Sequence, residues 1–502
     1  MSASVLWLGV DVGTQGVKVS LADGPGLVHA AAYAPLTSDR ANGRHEQIPA
    51  QWIQQTRAAM AEAIGALSEA ARARISGVAV CATSGTITTV DAAGHPLSPG
   101  LMYDDARAGS LSEEVAATDP ALWNRLGYRI QPTWALPKIV WLARNDLLPS
   151  GTHVATQADI VAAALVGRAV ASDWSHSLKS GYDLLELRWP TTVLDTLGID
   201  PERLPPVVAP GSVLGESSAA WETATGLPAG TPIFAGMTDG CAAQLGAGTL
   251  ALGDWHTVIG TTLVVKGVSD RIVVDDTGAV YSHRAPHDGL WFPGGASSVG
   301  AGAVSALFAG EDLAARTARI ADTYANRLDA IPTSYPLVTT GERFPVIRPD
   351  ALGFVRSAKV DHPLAEAIAG GVDPDTLFAS VLLGVACVER LAVDTMEGAG
   401  VPVTGTFSSS GGGTKNAWWT QLRADLLGRS ITVPVSAEGS IGMAILAAWA
   451  AGHDSEIPLP AVAARMSLVG SVFEPDSVRR SQLDDCYGVF RANLVAKGWL
   501  TA

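Results

Sequence analysis

Asp11, Gly13 and Thr14 fall together near the start of the chain, in Asp11-Val12-Gly13-Thr14-Gln15-Gly16-Val17-Lys18. A carboxylate at a strand end beside a Gly-Thr turn can hold a magnesium ion, directly or through water. Backbone N–H groups and the threonine hydroxyl then receive phosphate oxygens. Asp and Gly are equally at home in an ordinary hairpin turn, so this segment alone leaves both readings open. A second Gly-Thr turn recurs at Gly260-Thr261-Thr262-Leu263-Val264-Val265-Lys266, again with a lysine downstream. If the two turns are equivalent, each half of the chain carries a phosphate-cradling hairpin, and the halves face each other across a cleft.

Asp239 ends a nearly charge-free stretch, Ala235-Gly236-Met237-Thr238-Asp239-Gly240, that leads into small residues suited to a helix. A carboxylate there serves either as general base for a hydroxyl or as a helix cap. Gly411-Gly412-Gly413, followed by Thr414, Lys415 and Asn416, precedes another helix. Glycines permit close backbone approach to a nucleotide, and they also make plain turns. The run Gly294-Gly295-Ala296-Ser297-Ser298 is equally ambiguous. Thr83-Ser84-Gly85-Thr86 and Tyr103-Asp104-Asp105-Ala106-Arg107 gather hydroxyls, carboxylates and a guanidinium. That mixture suits a polyhydroxylated ligand, which needs many directional hydrogen bonds, although the same residues are common in surface loops.

Other chemistries lack their signatures. There is no GK[ST] end to a P-loop, no GxGxxG after the first strand, no HExxH and no GxSxG elbow. The histidines are scattered, and most of them read as structural. Trp418-Trp419 reads as helix packing rather than a base-stacking platform.

These residues need a frame. LWLGVDVGTQGVKVSLAD reads as two strands joined by a glycine turn; residues 50–74 have apolar spacing near the helical period, and ISGVAVCA is a buried strand. Residues 110–170 read as mostly helical, with a proline-punctuated middle. A second half begins near residue 230, with helices expected over 375–398, 418–427 and 441–452. Boundaries are expected near 250 and 455, giving parts 1–250, 251–455 and a helical C-terminal extension 456–502. Alternation of hairpins, helices and strands indicates an α/β protein with mixed sheets.

Composition narrows the class. The chain has 502 residues, 47% hydrophobic and 17% charged, enough apolar material for more than one core. A net charge of -15 argues against a nucleic-acid partner. Four cysteines with no CxxC pair indicate neither a disulfide framework nor a zinc site and suit a reducing cytoplasm. Asp11 arrives too early for a signal-peptide apolar region. The longest uncharged stretch, 289–310, is broken by Pro293 and several glycines, so no membrane span is expected.

Taken in order, these motifs resemble the FGGY carbohydrate kinase family from about residue 5 to 450. Asp11-x-Gly13-Thr14-x-x-x-Lys18 resembles its first phosphate motif, and Glu46-Gln47 with Trp52 its EQ…W segment. Gly236-x-x-Asp239-x-x-Ala242-Ala243-x-x-Gly246-x-Gly248 is similar to its catalytic-aspartate signature, and Gly260-Thr261-Thr262 to its second phosphate motif. Gly411-Gly412-Gly413-x-x-Asn416 with Trp419, Gln421 and Asp425 resembles its adenosine segment.

The resemblance implies two ribonuclease-H-like domains of the actin–hexokinase type around a catalytic cleft, and ATP-dependent phosphorylation of a sugar or polyol. It makes Asp239 the general base and Asp11 the Mg²⁺ organiser, acting through water. Gly13, Thr14, Gln15, Lys18, Gly260, Thr261, Thr262 and Gly295 would border the phosphates, and Gly411, Gly412, Gly413 and Asn416 the adenosine. Ser84, Gly85, Asp105 and Arg107, with Asp239, would bind the sugar. The partners expected are a sugar and ATP, with no nucleic acid or membrane, in a cytoplasmic monomer or homodimer.

The substrate expectation is divided. Xylulokinases of the family carry Gln-Met-His-Gly where this chain has Thr83-Ser84-Gly85-Thr86, and Tyr103 stands where many members have Trp. Cys81–Thr86, Leu101–Arg107 and the Tyr335…Pro345 region look more like D-ribulokinases, whereas Gly-Thr-Gln-Gly-Val-Lys is closer to xylulokinases. A ketopentose is expected, D-ribulose ahead of D-xylulose. The alternatives are another sugar or polyol, or a nucleotide-gated sugar-binding regulator. A nicotinamide-dependent dehydrogenase would want GxGxxG where the first strand ends in DVGTQG.

Overall fold

A computed structural model describes residues 4–275, 277–357, 360–452 and 457–501. The chain forms two compact units, neither continuous in sequence. The first comprises Met1–Leu250, His283–Trp291 and Ser436–Leu468; the second comprises Ala251–Ser282, Phe292–Val435 and Val469–Ala502.

In the first unit, β1 (Leu6–Val12), β2 (Gly16–Asp23), β3 (Val28–Pro35), β4 (Ile75–Ala82), β5 (Val213–Glu216) and β6 (Pro232–Phe234) form one sheet in the order β5-β6-β4-β1-β2-β3. β1 is antiparallel to β2 and parallel to β4. Both faces of this sheet are covered, so β1 and β4 are apolar almost throughout rather than alternating. Leu8, Val10, Val19, Val78 and Trp52 meet in its core.

The second unit repeats the plan. β7 (Trp255–Ile259), β8 (Leu263–Gly267), β9 (Trp291–Ser297), β10 (Phe407–Ser410), β11 (Ile431–Pro434) and β12 (Val469–Phe473) run in the order β9-β8-β7-β10-β11-β12. The central strand β7 is antiparallel to β8 and parallel to β10, as β1 is to β2 and β4. The helix Pro374–Gly398 crosses this core with seventeen buried residues, Leu377 to Met396 among them. Among the described residues it is the one helix long and apolar enough to cross a membrane, and most of it is buried inside the protein.

Several elements match expectation: the opening hairpin, β4, and the helices Pro374–Gly398, Ala417–Leu427 and Gly439–Ala451. The helix expected over 50–74 runs Pro49–Gly65, then breaks before a single turn, Glu69–Arg72. The stretch 110–170 holds four α-helices but also a strand, His153–Thr156.

The expected continuous division differs from the observed one. Position 455 lies outside the described residues, and the chain returns to the first unit earlier, at Ser436. Glycines make this return possible. A Cβ on Gly9 of β1 would lie 1.7 Å from the Ser440 carbonyl oxygen, and one on Gly442 would lie 1.9 Å from that of Ala242. The helix Gly439–Ala451 therefore touches β1 and the helix Asp239–Gly246 backbone to backbone.

Position 456 lies outside the described residues; beyond it the chain forms two helices, Leu459–Met466 and Ser477–Ala496, with β12 between them. β12 pairs with β11, and the helix Ser477–Ala496 buries Leu483, Tyr487, Phe490 and Leu494 in the second core.

Candidate active site

The turn between β1 and β2 is fixed from behind. Val12 pairs with Val17, leaving Gly13-Thr14-Gln15-Gly16 as the loop, and the Gly13 N–H donates to the Gly16 carbonyl at 3.0 Å. The Thr14 carbonyl accepts from Gln47 Nε2 at 2.7 Å, and the Gln15 carbonyl accepts from Tyr33 Oη at 2.8 Å and the Leu36 N–H at 2.9 Å. Trp52 Nε1 in turn donates to Gln47 Oε1 at 2.7 Å. Gln47 and Trp52 thus act together to hold the turn's carbonyls toward the protein.

Asp11 stands at the end of β1, opposite Lys18. Burial, then the nearby Asp239 carboxylate, raise its carboxyl to about 6, against the pull of Lys18. Asp239 is the first residue of the helix Asp239–Gly246, whose N-cap is Thr238, and its Oδ1 accepts from the Gly240 N–H at 2.7 Å. The capping position is therefore Thr238, and the Asp239 carboxylate sits exposed at a helix N-terminus.

Two neighbours give no signal in the sequence. Lys18 Nζ lies 3.0 Å from Glu438 Oε1, 420 residues away. A Cβ on Gly439 would come within 2.9 Å of the Asp11 carboxyl and 3.0 Å of Cys81 Sγ. Cys81 also hydrogen-bonds Asp11, and burial pushes its thiol well above the usual range.

The segment before Asp239 is anchored by Ser175, whose Oγ accepts from the Thr238 N–H at 3.2 Å and lies 3.0 Å from Thr238 Oγ1. Beside it His176 Nδ1 contacts Asp173 Oδ2 at 2.5 Å, and its Nε2 is 3.3 Å from the Ala82 carbonyl at the end of β4. Neither that serine nor this pair belongs to a recognisable motif. His176 is structural, as its scattered position suggests.

Among the expected sugar residues, Arg107 donates to both oxygens of Asp105 and to Glu46 Oε1 at 2.7 Å. Asp105, fully buried, also accepts from the His45 N–H at 2.8 Å. Ser84 and Gly85 form a turn at the end of β4, with Gly85 at φ +91°. Thr83 Oγ1 sits 2.6 Å from Thr86 Oγ1, bracing the turn. Lys138, buried on the helix Ala135–Arg144, donates to Gly85 and Met102 carbonyls at 3.1 and 2.6 Å. The structure thus brings Glu46, Asp105 and Arg107 together, and Lys138 links Gly85 to the segment that carries Asp105 and Arg107.

In the second unit the turn Gly260–Thr262 joins β7 to β8, with the Gly260 N–H donating to the Thr262 carbonyl at 3.1 Å. The carbonyls of Gly260 and Thr261 accept from the Ala301 and Gly302 N–H groups at 2.8 and 3.1 Å. A cavity of about 590 Å³ is lined by Gly412, Gly413, Asn416, Trp418, Thr317 and Leu382, among others. Asn416 caps the helix Ala417–Leu427 and donates to Thr317 Oγ1 at 2.9 Å. Gly411, at φ +93°, would place a Cβ 2.6 Å from the Ile259 carbonyl. Trp419 is buried and donates to the Leu382 carbonyl at 2.9 Å, as helix packing requires, while Trp418 lines the cavity.

Gly295 sits in a strand rather than in a turn. It lies within β9, paired with Val265, and a Cβ there would sit 2.7 Å from the Phe344 ring. Packing against Phe344 by itself requires a glycine at that position.

In the second unit Arg423, on the helix Ala417–Leu427, forms a buried pair with Glu389 of the helix Pro374–Gly398, 2.6 Å to each oxygen, and bridges Thr257 of β7 and Ser409 of β10. His256 lies between Ser408 and Ser410, and burial drives its ring down to about 3, so it is neutral.

No group of three or more His, Cys, Asp or Glu capable of holding a metal alone occurs among the described residues. Mg²⁺ prefers one or two carboxylates with waters and phosphate oxygens. The hard oxygens of Asp11, in a setting made acidic by Asp239 and Glu438, fit that requirement.

Comparison with known proteins agrees with this geometry. Residues 6–246 match the N-terminal domain, and residues 256–451 the C-terminal domain, of the FGGY family of carbohydrate kinases. The chain is 27% identical over 460 residues to a xylulose kinase of Escherichia coli, covering 88% of this chain and 89% of that one. It is 25% identical over 475 residues to a gluconokinase of Bacillus subtilis, covering 89% and 87%. The solved xylulose kinase of Rhodospirillum rubrum superposes with a TM-score of 0.84 at 25% identity, over 98% of each chain. The fold is the two-domain, actin–hexokinase-like one, and the chain belongs to the FGGY family of carbohydrate kinases and is a sugar kinase.

Proposed function

We propose that this protein transfers the terminal phosphoryl group of ATP to the terminal hydroxyl of a ketopentose, giving the 5-phosphate and ADP. The observation that carries the reading is the coupled carboxylate pair in the first unit. Asp239 is held at a helix N-terminus, and Asp11 is poised at about 6 beside the braced Gly13–Gly16 turn.

Asp239 accepts the proton of the attacking hydroxyl; that oxygen bonds to the γ-phosphorus as the bond to the β–γ bridging oxygen breaks. Phosphoryl transfer relies chiefly on positioning and charge neutralisation, which matches a site rich in fixed backbone and poor in nucleophiles. Asp11 would hold Mg²⁺ through water, and the bound ion would supply positive charge to the phosphate oxygens. Gly13, Thr14, Gln15 and Lys18 in the first unit, and Gly260, Thr261 and Thr262 in the second, are the phosphate-facing residues of this reading. The cavity lined by Gly412, Gly413 and Asn416, with Gly411 just before them in the chain, takes the adenosine. Residues 1–250 supply the sugar side and catalytic Asp239, with Ser84, Gly85, Asp105 and Arg107 contacting hydroxyls. Residues 251–455 supply the ATP side. The protein acts in the cytoplasm as a monomer or homodimer, with sugar and ATP as its partners.

Two ketopentoses compete. Relatives named as xylulose kinases favour D-xylulose, whereas the Thr83–Thr86 turn, without a Met-His pair, favours D-ribulose. The test is ADP release from Mg-ATP with D-xylulose, D-ribulose, L-ribulose, D-gluconate, ribitol, glycerol and a no-sugar blank. Turnover concentrated on one ketopentose supports the reading and chooses between them. A preference for gluconate or a polyol, or a panel flat at the blank rate, overturns it.

A further inference from the structure

Lys138 is a lysine where a core residue is expected. It occupies the helix Ala135–Arg144 between Leu136, Ile139, Val140 and Leu142, all fully buried, and is itself fully buried. Among the described residues no carboxylate lies within ion-pair distance of its amine. Instead Nζ donates to the Gly85 carbonyl at 3.1 Å and the Met102 carbonyl at 2.6 Å. Lys179 Nζ donates to the preceding carbonyl, Ser84, at 3.2 Å. Two ammonium groups therefore grip consecutive carbonyls of one glycine turn. The other end of the Lys138 bridge is the segment whose Asp105 N–H donates to the Met102 carbonyl at 3.0 Å and whose Arg107 reaches Glu46.

A buried amine costs stability that Met or Leu at this position would not. What it provides is a single atom joining the Ser84–Gly85 turn to the Met102–Arg107 segment. We propose that Lys138 is a positioning residue for the sugar, setting the spacing between those two segments without itself contacting the reacting atoms. This rests on the assignment of both segments to the sugar. Burial, reinforced by Lys179, draws the ammonium down to about 7, with Asp105 and Asp104 opposing and Arg107 adding to the shift. The clamp is thus weakened near neutrality, as a neutral amine donates less strongly than an ammonium.

The test compares wild type with Lys138→Met. The variant is expected to raise KM for the sugar at least tenfold, with KM for ATP and sugar-independent ATP hydrolysis unchanged and no loss of Tm. In wild type the sugar KM rises above pH 7; in the variant that rise disappears. A fall in Tm with both KM values shifted, or a wild-type sugar KM flat from pH 6 to 8.5, overturns the proposal. The wild-type profile stands even if the variant fails to fold. If no sugar is turned over, hydrogen exchange separates the two failures. Faster exchange confined to 83–90 and 101–107 in the variant upholds the clamp while the functional reading falls, and unchanged exchange there overturns the clamp itself.

Discussion

The two sheets are built alike and loaded differently. In each, a central strand is antiparallel to its hairpin partner and parallel to the next strand, and a Gly-Thr turn closes the hairpin. Two residues before the turn glycine the first sheet has Asp11, and the second has Val258. Charge in the first unit is left partly unneutralised: Asp11, Asp239 and Glu438 lie within each other's field, and Asp11 is raised to about 6. Charge in the second is closed on itself, with Arg423 and Glu389 forming a buried bidentate pair that ties β7 to β10. One scaffold therefore serves two purposes. Perturbed titration is a mark of functional sites, and Asp11 shows it; the Arg423–Glu389 pair is not among the residues lining the second unit's cavity and instead joins two helices to the sheet.

Breaking the comparison at its chemical end gives the largest effect. Asp239→Asn is expected to lower kcat by about 10²–10⁴-fold, the range for a lost general base, with an unchanged thermal midpoint. Near-normal sugar-dependent turnover would remove Asp239 from the mechanism.

Asp11→Asn separates function from stability. The folded pKa is raised from 3.8 to about 6, so the native state binds more protons across that window and stability falls as pH rises through it. The variant should therefore lose activity yet gain ~1–3 kcal/mol of stability at pH 8 and none at pH 4, as thermal melts at both values would read. In wild type, kcat should decline below about pH 6 as Asp11 protonates. A variant destabilised at pH 8 would contradict this account of the site.

The second unit should respond in the opposite sense. Arg423→Met strands a buried carboxylate and is expected to cost ~3–5 kcal/mol, measured by denaturant unfolding. The double variant Arg423→Met, Glu389→Leu should recover most of that loss. A harmless single substitution would mean the pair is not what joins the strands.

In stability, Lys18→Met is the smallest. Its ion pair with Glu438 is 43% and 48% exposed on the two sides, so stability should change by less than ~1 kcal/mol. Lys18 also lowers the Asp11 pKa, so its removal should move the acid limb of the kcat profile to higher pH. An unmoved limb would show that Lys18 does not act on Asp11.

Much of this is legible in the sequence because it is local. Hairpins closed by Gly-Thr turns, the helix opened at Asp239 and the long apolar helix Pro374–Gly398 follow from residue type and period. What escapes depends on distant chain segments meeting. Glu438 reaches Lys18 across 420 residues, and the return of Ser436–Leu468 to the first unit is encoded in Gly9 and Gly442, whose role emerges only when another backbone lies against them. Gln47 stands out through resemblance alone; its reason is the Thr14 carbonyl. Gly295 is ambiguous in sequence because a glycine needed to clear Phe344 looks the same as one needed beside a phosphate. Lys138 is hidden in an apolar helix pattern, where a single charged residue carries no periodic signal.

The central claim is transfer of phosphate to a sugar hydroxyl, and product analysis tests it most directly. Wild-type protein incubated with Mg-ATP and the preferred ketopentose should yield ADP and sugar phosphate in equal amounts, with the phosphate on the terminal carbon by ³¹P and ¹³C NMR. ADP formed without sugar phosphate, or at the same rate when the sugar is omitted, would contradict it.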